Sequence, residues 1–183
     1  RRQRQMCIRD RVSGDVMNIK KVSVDKEGTG MGWGAVYAQY LESMDQISGQ
    51  GNGLSVSRQL YKGDEALNES APLKVGDKIT VRLTVKADRD MDFVQIKDDR
   101  AACMEPLQAV SGFRWSNGLG YYQATKDAST QFFIDQMRKG TYVIEYQVYV
   151  NRTGEYQAGI ATVQSAYAPE FGGHTGGYRV MVE

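Results

Sequence analysis

Along most of the chain, apolar and polar side chains alternate one by one. In "ITVRLTVKA" the residues Ile79, Val81, Leu83 and Val85 alternate with Thr80, Arg82, Thr84 and Lys86, the two-residue period of a strand with one face toward a core. "TYVIEYQVYV" places Tyr142, Ile144, Tyr146, Val148 and Val150 on one face, and "LSVSRQL", "ATVQSAY" and "GYRVMV" continue the style. β-branched and aromatic residues fill these runs. Between them stand "KVGDK", "MRKGT", "NRTGEY" and "GGHTGG", stretches of turn chemistry. Short strands at this spacing predict an all-β chain folded as an antiparallel β-sandwich.

One segment fits two periods. In "GWGAVYAQYLESMDQI", Val36, Tyr40 and Met44 make a helical stripe, while Trp33, Ala35, Tyr37 and Gln39 alternate. Glycines at 30, 32 and 34 oppose a helix start, so the segment reads as a strand. "SGQGNG", residues 48–53, has the composition of a flexible linker. The chain divides there, into residues 12–47, too short for a core of their own, and a domain over 54–183.

The first eleven residues stand apart. "RRQRQMCIRDR" has no strand pattern, and Met6 to Arg11 is the translation of ATG TGT ATA AGA GAC AGR, so residues 1–11 resemble translated sequencing-adapter DNA. Setting them aside changes the charge. The chain has 23 Lys and Arg against 22 Asp and Glu, and this segment holds five Arg and one Asp, which leaves 18 basic and 21 acidic groups and turns a net +1 into −3. The basic footprint expected of a nucleic-acid partner is then gone. One cysteine, Cys103, remains, so no internal disulfide is expected. On this reading the chain is the end part of a longer gene product.

Candidate chemistry is sparse. In "DRDMDFVQIKDD" the residues Asp88, Asp90, Asp92 and Asp99 fall at positions 1, 3, 5 and 12 of an EF-hand loop. Phe93 occupies the position that needs glycine, and an Asp stands where a bidentate Glu is usual. The stretch reads as a turn and a strand, and no metal site is expected. "AACMEP" falls one residue short of Cys-x-Glu-Gln, the internal thioester signature, and Pro106 has no side-chain carbonyl to acylate; Cys103 reads as a buried structural thiol. His174 is the lone histidine, set among glycines without a nucleophile motif. No enzyme and no cofactor are expected. In "FRWSNGLGYYQ", Phe113, Trp115, Tyr121 and Tyr122 read as core and hairpin aromatics rather than a sugar-stacking platform. "SAYAPEF" keeps Tyr167 and Phe171 around a proline in what should be a surface loop.

The blocks "GWGAVYAQY", "LKVGDKITVRLTVKADRDMDFVQIKDDRAACMEP", "GYYQATKDAST", "KGTYVIEYQVYV" and "SAYAPEF", in this order, resemble the C-terminal end of bacterial alpha-2-macroglobulins. The first resembles the last strand of the CUB-like domain, which makes 12–47 the closing strands of a truncated β domain. The rest resembles the final macroglobulin-like sandwich. Members of this family are protease traps that capture the attacker through a reactive thioester. The resemblance implies a protease-inhibitor function for the whole protein, with the thioester domain of the same chain and target proteases as partners, in the periplasm or cell envelope and lipid-anchored through the missing N-terminal part. It further implies that a loop Met-Tyr-x-Pro-Glu of the last domain shields the thioester. Tyr167, Pro169 and Glu170 match that motif, and Ala166 stands in place of the Met. A rival class, an immunoglobulin-like adhesin module, opens with similar strands; its arrays repeat, and these 183 residues contain no internal repeat.

If residues 1–11 are foreign to the fold, deleting them leaves thermal unfolding unchanged. A melting temperature lowered by several degrees, which corresponds to about 1 kcal/mol in a domain of this size, would return them to the native structure.

Overall fold

In a computed structural model the described residues are 27–32, 41–68 and 71–183. The expected strand over "GWGAVYAQY" and the adapter-like residues 1–11 lie outside them. The chain divides into two units, Arg1–Leu41 and Glu42–Glu183. Of the first, residues 27–32 are exposed.

The second unit is built from antiparallel strands. They are β1 (Gln50–Asn52), β2 (Leu54–Lys62), β3 (Glu65–Ala66), β4 (Lys78–Ala87), β5 (Met91–Asp99), β6 (Met104–Pro106) and β7 (Gly112–Ser116). Then follow β8 (Leu119–Thr125), β9 (Ser129–Met137), β10 (Gly140–Val150), β11 (Gly154–Ala158), β12 (Ala161–Ser165), β13 (Gly172–His174) and β14 (Tyr178–Val182). Hydrogen bonding runs β6-β10-β4-β2 in one layer and β13-β12-β5-β9-β8-β7 in the other, with β1 joining β2 to β13 at the corner. β11 and β14 form a separate pair. The layers face each other: Phe132 of β9 lies 5.9 Å, ring to ring, from Tyr146 of β10. This is the expected β-sandwich.

The alternation in the sequence is the alternation of burial. Ile79, Val81, Leu83 and Val85 are all buried, and β4 pairs on both sides, with β10 and β2. Ile144, Tyr146, Val148 and Val150 are buried as well, while Tyr142 at the strand's start is only partly covered. Cys103 is fully buried, and its thiol is pushed up by loss of water.

Residues 48–53 differ from the linker reading. Gln50, Gly51 and Asn52 pair with His174, Gly173 and Gly172, and Asn52 pairs with Leu54. Glycine there serves close approach rather than flexibility: a Cβ on Gly173 would sit 2.7 Å from the Gln50 carbonyl oxygen. The preceding residues, from Glu42, belong to the same unit. A short 3-10 turn, Met44–Gln46, is fastened by Arg179, whose Nε donates to Asp45 at 2.8 Å, and by the Ile47 carbonyl, which accepts from Gly177.

A charged network crosses the core. Arg58 Nη1 donates to Asp98 Oδ1 at 2.5 Å, and Nη2 to the Gly159 carbonyl at 2.5 Å. The Tyr146 hydroxyl donates to Asp98 Oδ2 at 2.7 Å. The Arg58 and Asp98 side chains are 5% and 1% exposed. Burial raises the Asp98 carboxyl, against the pull of the Arg58 guanidinium. Burial likewise sends the Tyr146 hydroxyl well above its ordinary value. Such a pair contributes little over an apolar replacement, but losing one partner leaves a bare charge in the core. Asp98→Ala should therefore cost about 3–5 kcal/mol and Tyr146→Phe about 1–3 kcal/mol, in that order by urea unfolding; equal, small losses would remove the network from the fold's supports.

Candidate functional site

The sequence motif and an outlying backbone conformation meet at one end of β12. β12 pairs with β5 from Ala161↔Asp98 to Ser165↔Val94. The pairing reaches one residue further, because the Ala166 amide donates to the Phe93 carbonyl at 2.9 Å. Phe93 has φ +52 and is one of two non-glycine residues with positive φ among those described, the other being Asn117. A bulky residue is rarely found in that conformation. Its effect is visible in β5, where Val94, Ile96 and Asp98 point inward in one phase and Met91 in the other, with Asp92 and Phe93 exposed between them.

The loop 166–171 then turns back into β13. Ala168 to Phe171 close a turn through Phe171 N–H to Ala168 O at 2.9 Å, with Pro169 at its second position, where the ring's fixed φ suits a turn. The side-chain amide of Gln164 donates to the Pro169 carbonyl at 3.2 Å and that of Asn52 to the Glu170 carbonyl at 2.7 Å. Ser165 N–H donates to the Phe171 carbonyl at 3.1 Å. The loop is thus held by its backbone at both ends and in the middle.

Its side chains divide between inside and outside. Phe171 packs against the core, under the guanidinium of Arg89 at 4.7 Å from its ring centre. Gly53, at φ +69, leaves room for it: a Cβ there would lie 2.7 Å from Phe171 Cδ1. Tyr167 does the opposite. It is 80% exposed, and its ring stands edge-on to Phe93 with centroids 5.1 Å apart and planes at 83°. Phe93 is itself 49% exposed. Ala166, Pro169 and Glu170 are exposed too. The expected motif residues are therefore brought together on one loop, around a ring presented to the outside. Glu170 enters the loop's hydrogen bonding through its main-chain carbonyl.

The remaining candidates fall elsewhere. His174 is half-buried in β13, its Nδ1 3.1 Å from the Thr175 carbonyl. Of the EF-hand-like carboxylates, Asp88 is paired with Arg89, Asp90 caps the Lys139 amide at 2.7 Å, and Asp99 is paired with Lys97. The aromatics of "FRWSNGLGYYQ" split against expectation. Tyr121 is buried, but Phe113 and Trp115 are 83% and 77% exposed on the edge strand β7, beside a cleft of about 800 Å³. An edge strand has a neighbour on one side only, so its outer residues need no core. Phe93 was missed as a site residue: its sequence signal is a large apolar side chain directly after the acidic stretch "DRDMD", at an outward position of the strand.

A family model described as bacterial alpha-2-macroglobulin MG10 domain matches residues 53–170. Among solved structures, a Salmonella alpha-2-macroglobulin mutant superimposes with a TM-score of 0.64 at 19% identity, over 74% of this chain and 10% of that one. Native alpha-2-macroglobulin from Escherichia coli, spanning domain MG7 to the C-terminus, gives 0.62 at 17% identity, over 74% and 24%. Among curated proteins, circularly permutated Ras protein 2 of Dictyostelium discoideum is 27% identical over 166 residues, 87% of this chain and 4% of that protein. The chain thus spans a small part of each of these relatives.

The division of the loop predicts unequal stability losses. Phe171→Ala should cost about 1.5–3 kcal/mol, the value of a covered aromatic. Tyr167→Ala should cost no more than the roughly 0.5–1.5 kcal/mol of a single ring pair. Chemical denaturation of the 183-residue chain checks both; a larger loss at Tyr167 would make it a core residue.

Proposed function

The chain belongs to the family of bacterial alpha-2-macroglobulin MG10 domains, and from that premise we propose that it is the closing domain of a protease trap, which it serves by covering the thioester of a neighbouring domain in the full-length protein. The observation that carries this reading is the Tyr167 ring, 80% exposed on a loop whose backbone is tied down on every side. A single exposed ring needs no explanation, but this one is contiguous with the exposed Phe93 ring, and joined apolar surface of this kind suits a contact site.

A thioester survives only where water is kept from its carbonyl, and an aromatic ring laid over the bond excludes water. Tyr167 supplies the cover. Pro169 restricts its own backbone and that of Ala168, so the loop loses little entropy on docking. Ala166 adds less apolar cover than the Met of the family motif, and more of the shielding falls on Tyr167. The domain carries out no chemistry of its own in this reading. Its partners are the thioester domain of the same full-length chain and, through the whole protein, the proteases it captures. The periplasm or cell envelope, with a lipid anchor on the N-terminal part, is the location that fits such a trap.

The test is spontaneous hydrolysis in the full-length protein, followed as free thiol released without protease. Tyr167→Gly should accelerate it and Ala166→Met should slow it. A rate unmoved by Tyr167→Gly would defeat the shielding reading.

A further inference from the structure

We propose that Phe93 is a positioning residue for Tyr167, fixing the ring in its outward pose before any partner docks; this rests on the shielding reading for its functional consequence, though not for its geometry. Three observations converge on it. Phe93 occupies a left-handed conformation, φ +52, that glycine would adopt without strain. Burial does not account for its side chain, which is half exposed. Its ring is instead the edge-on neighbour of Tyr167 at 5.1 Å.

The backbone explains how this placement arises. Phe93 O accepts from Ala166 N–H, and Asp92 O from the Ser165 hydroxyl at 3.4 Å, so the two chain segments are registered to each other right up to the loop. In the phase set by Val94 and Ile96, residue 93 faces outward, on the surface it shares with Tyr167. The left-handed turn at Phe93 shifts the phase of the residues before it, so that Asp92 is exposed and Met91 turns inward. Strained conformations of this kind persist where the surroundings over-determine them, often at functional sites. An edge-on aromatic pair biases the tyrosine toward one rotamer, and the ring meets its target partly ordered.

The pairing is read first in the 183-residue chain, by the ring-current displacement of the Tyr167 ring protons in NMR spectra. Phe93→Gly should abolish the displacement while the domain stays folded, since glycine accepts this backbone, and Phe93→Tyr should keep it. In the full-length protein Phe93→Gly should speed thiol release by about two- to twelvefold, the bias that a ring pair of this strength gives a rotamer. Phe93→Tyr should restore the parent rate, and the double variant Phe93→Gly with Tyr167→Gly should be no faster than Tyr167→Gly alone. Tyr167 protons unmoved by Phe93→Gly would overturn the proposal. So would acceleration by Tyr167→Gly with none by Phe93→Gly. If neither variant releases thiol faster but Phe93→Gly still frees the ring, the pairing stands and the shielding reading falls.

Discussion

The fold turns on one buried contact between layers. Arg58 reaches from β2 across the sandwich to Asp98 on β5, and Tyr146 reaches the same carboxylate from β10. Two charges in an apolar core are tolerable only if each satisfies the other and the remaining lone pairs find donors. Here they do: Arg58 also donates to the carbonyls of Asp99 and Gly159. Apolar packing alone tolerates many arrangements of two sheets. A hydrogen-bonded charge admits few, so the network fixes where β5 lies against β2 and β10.

The consequences run along β5. Asp98 lies opposite Ala161, and from that point β5 and β12 pair in unbroken register to Val94 and Ser165. The loop 166–171 starts where this ladder ends, so the position of Tyr167 is set by a ladder anchored in the core. On the other side of the loop, β13 is gripped by β12 and β1. A ring carried by such a frame faces outward from a fixed stretch of backbone. Rigidity of this sort is what a docking residue requires, because an ordered side chain loses less freedom on contact.

Much of this was legible in the residues. The alternation of β4 and β10 gave the strands and their buried faces, since a period of two admits no other burial in a sandwich. The motif around Tyr167 was readable, and so was the turn chemistry at Pro169. Even the network left a trace: Arg58 is in phase with Leu54, Val56 and Leu60, and Asp98 with Val94 and Ile96. Opposite charges on two apolar faces are a signal for a buried pair. The glycines of 48–53 misled, because composition does not distinguish a flexible glycine from one that lets two backbones approach. The exposure of Phe113 and Trp115 was also hidden, since a strand's own pattern does not say whether it lies at an edge.

The sequence by itself determined the strands, their apolar faces and the loop motif, all of which follow from neighbours along the chain. The tertiary structure alone decided which strands became neighbours, that Asn52 from β1 would hold the Glu170 carbonyl, and that Phe93 would stand beside Tyr167. These partners are far apart in sequence. Their meeting depends on which strands pair, β5 with β12 and β1 with β13, and pairing between distant segments is not encoded in the alternation of either one.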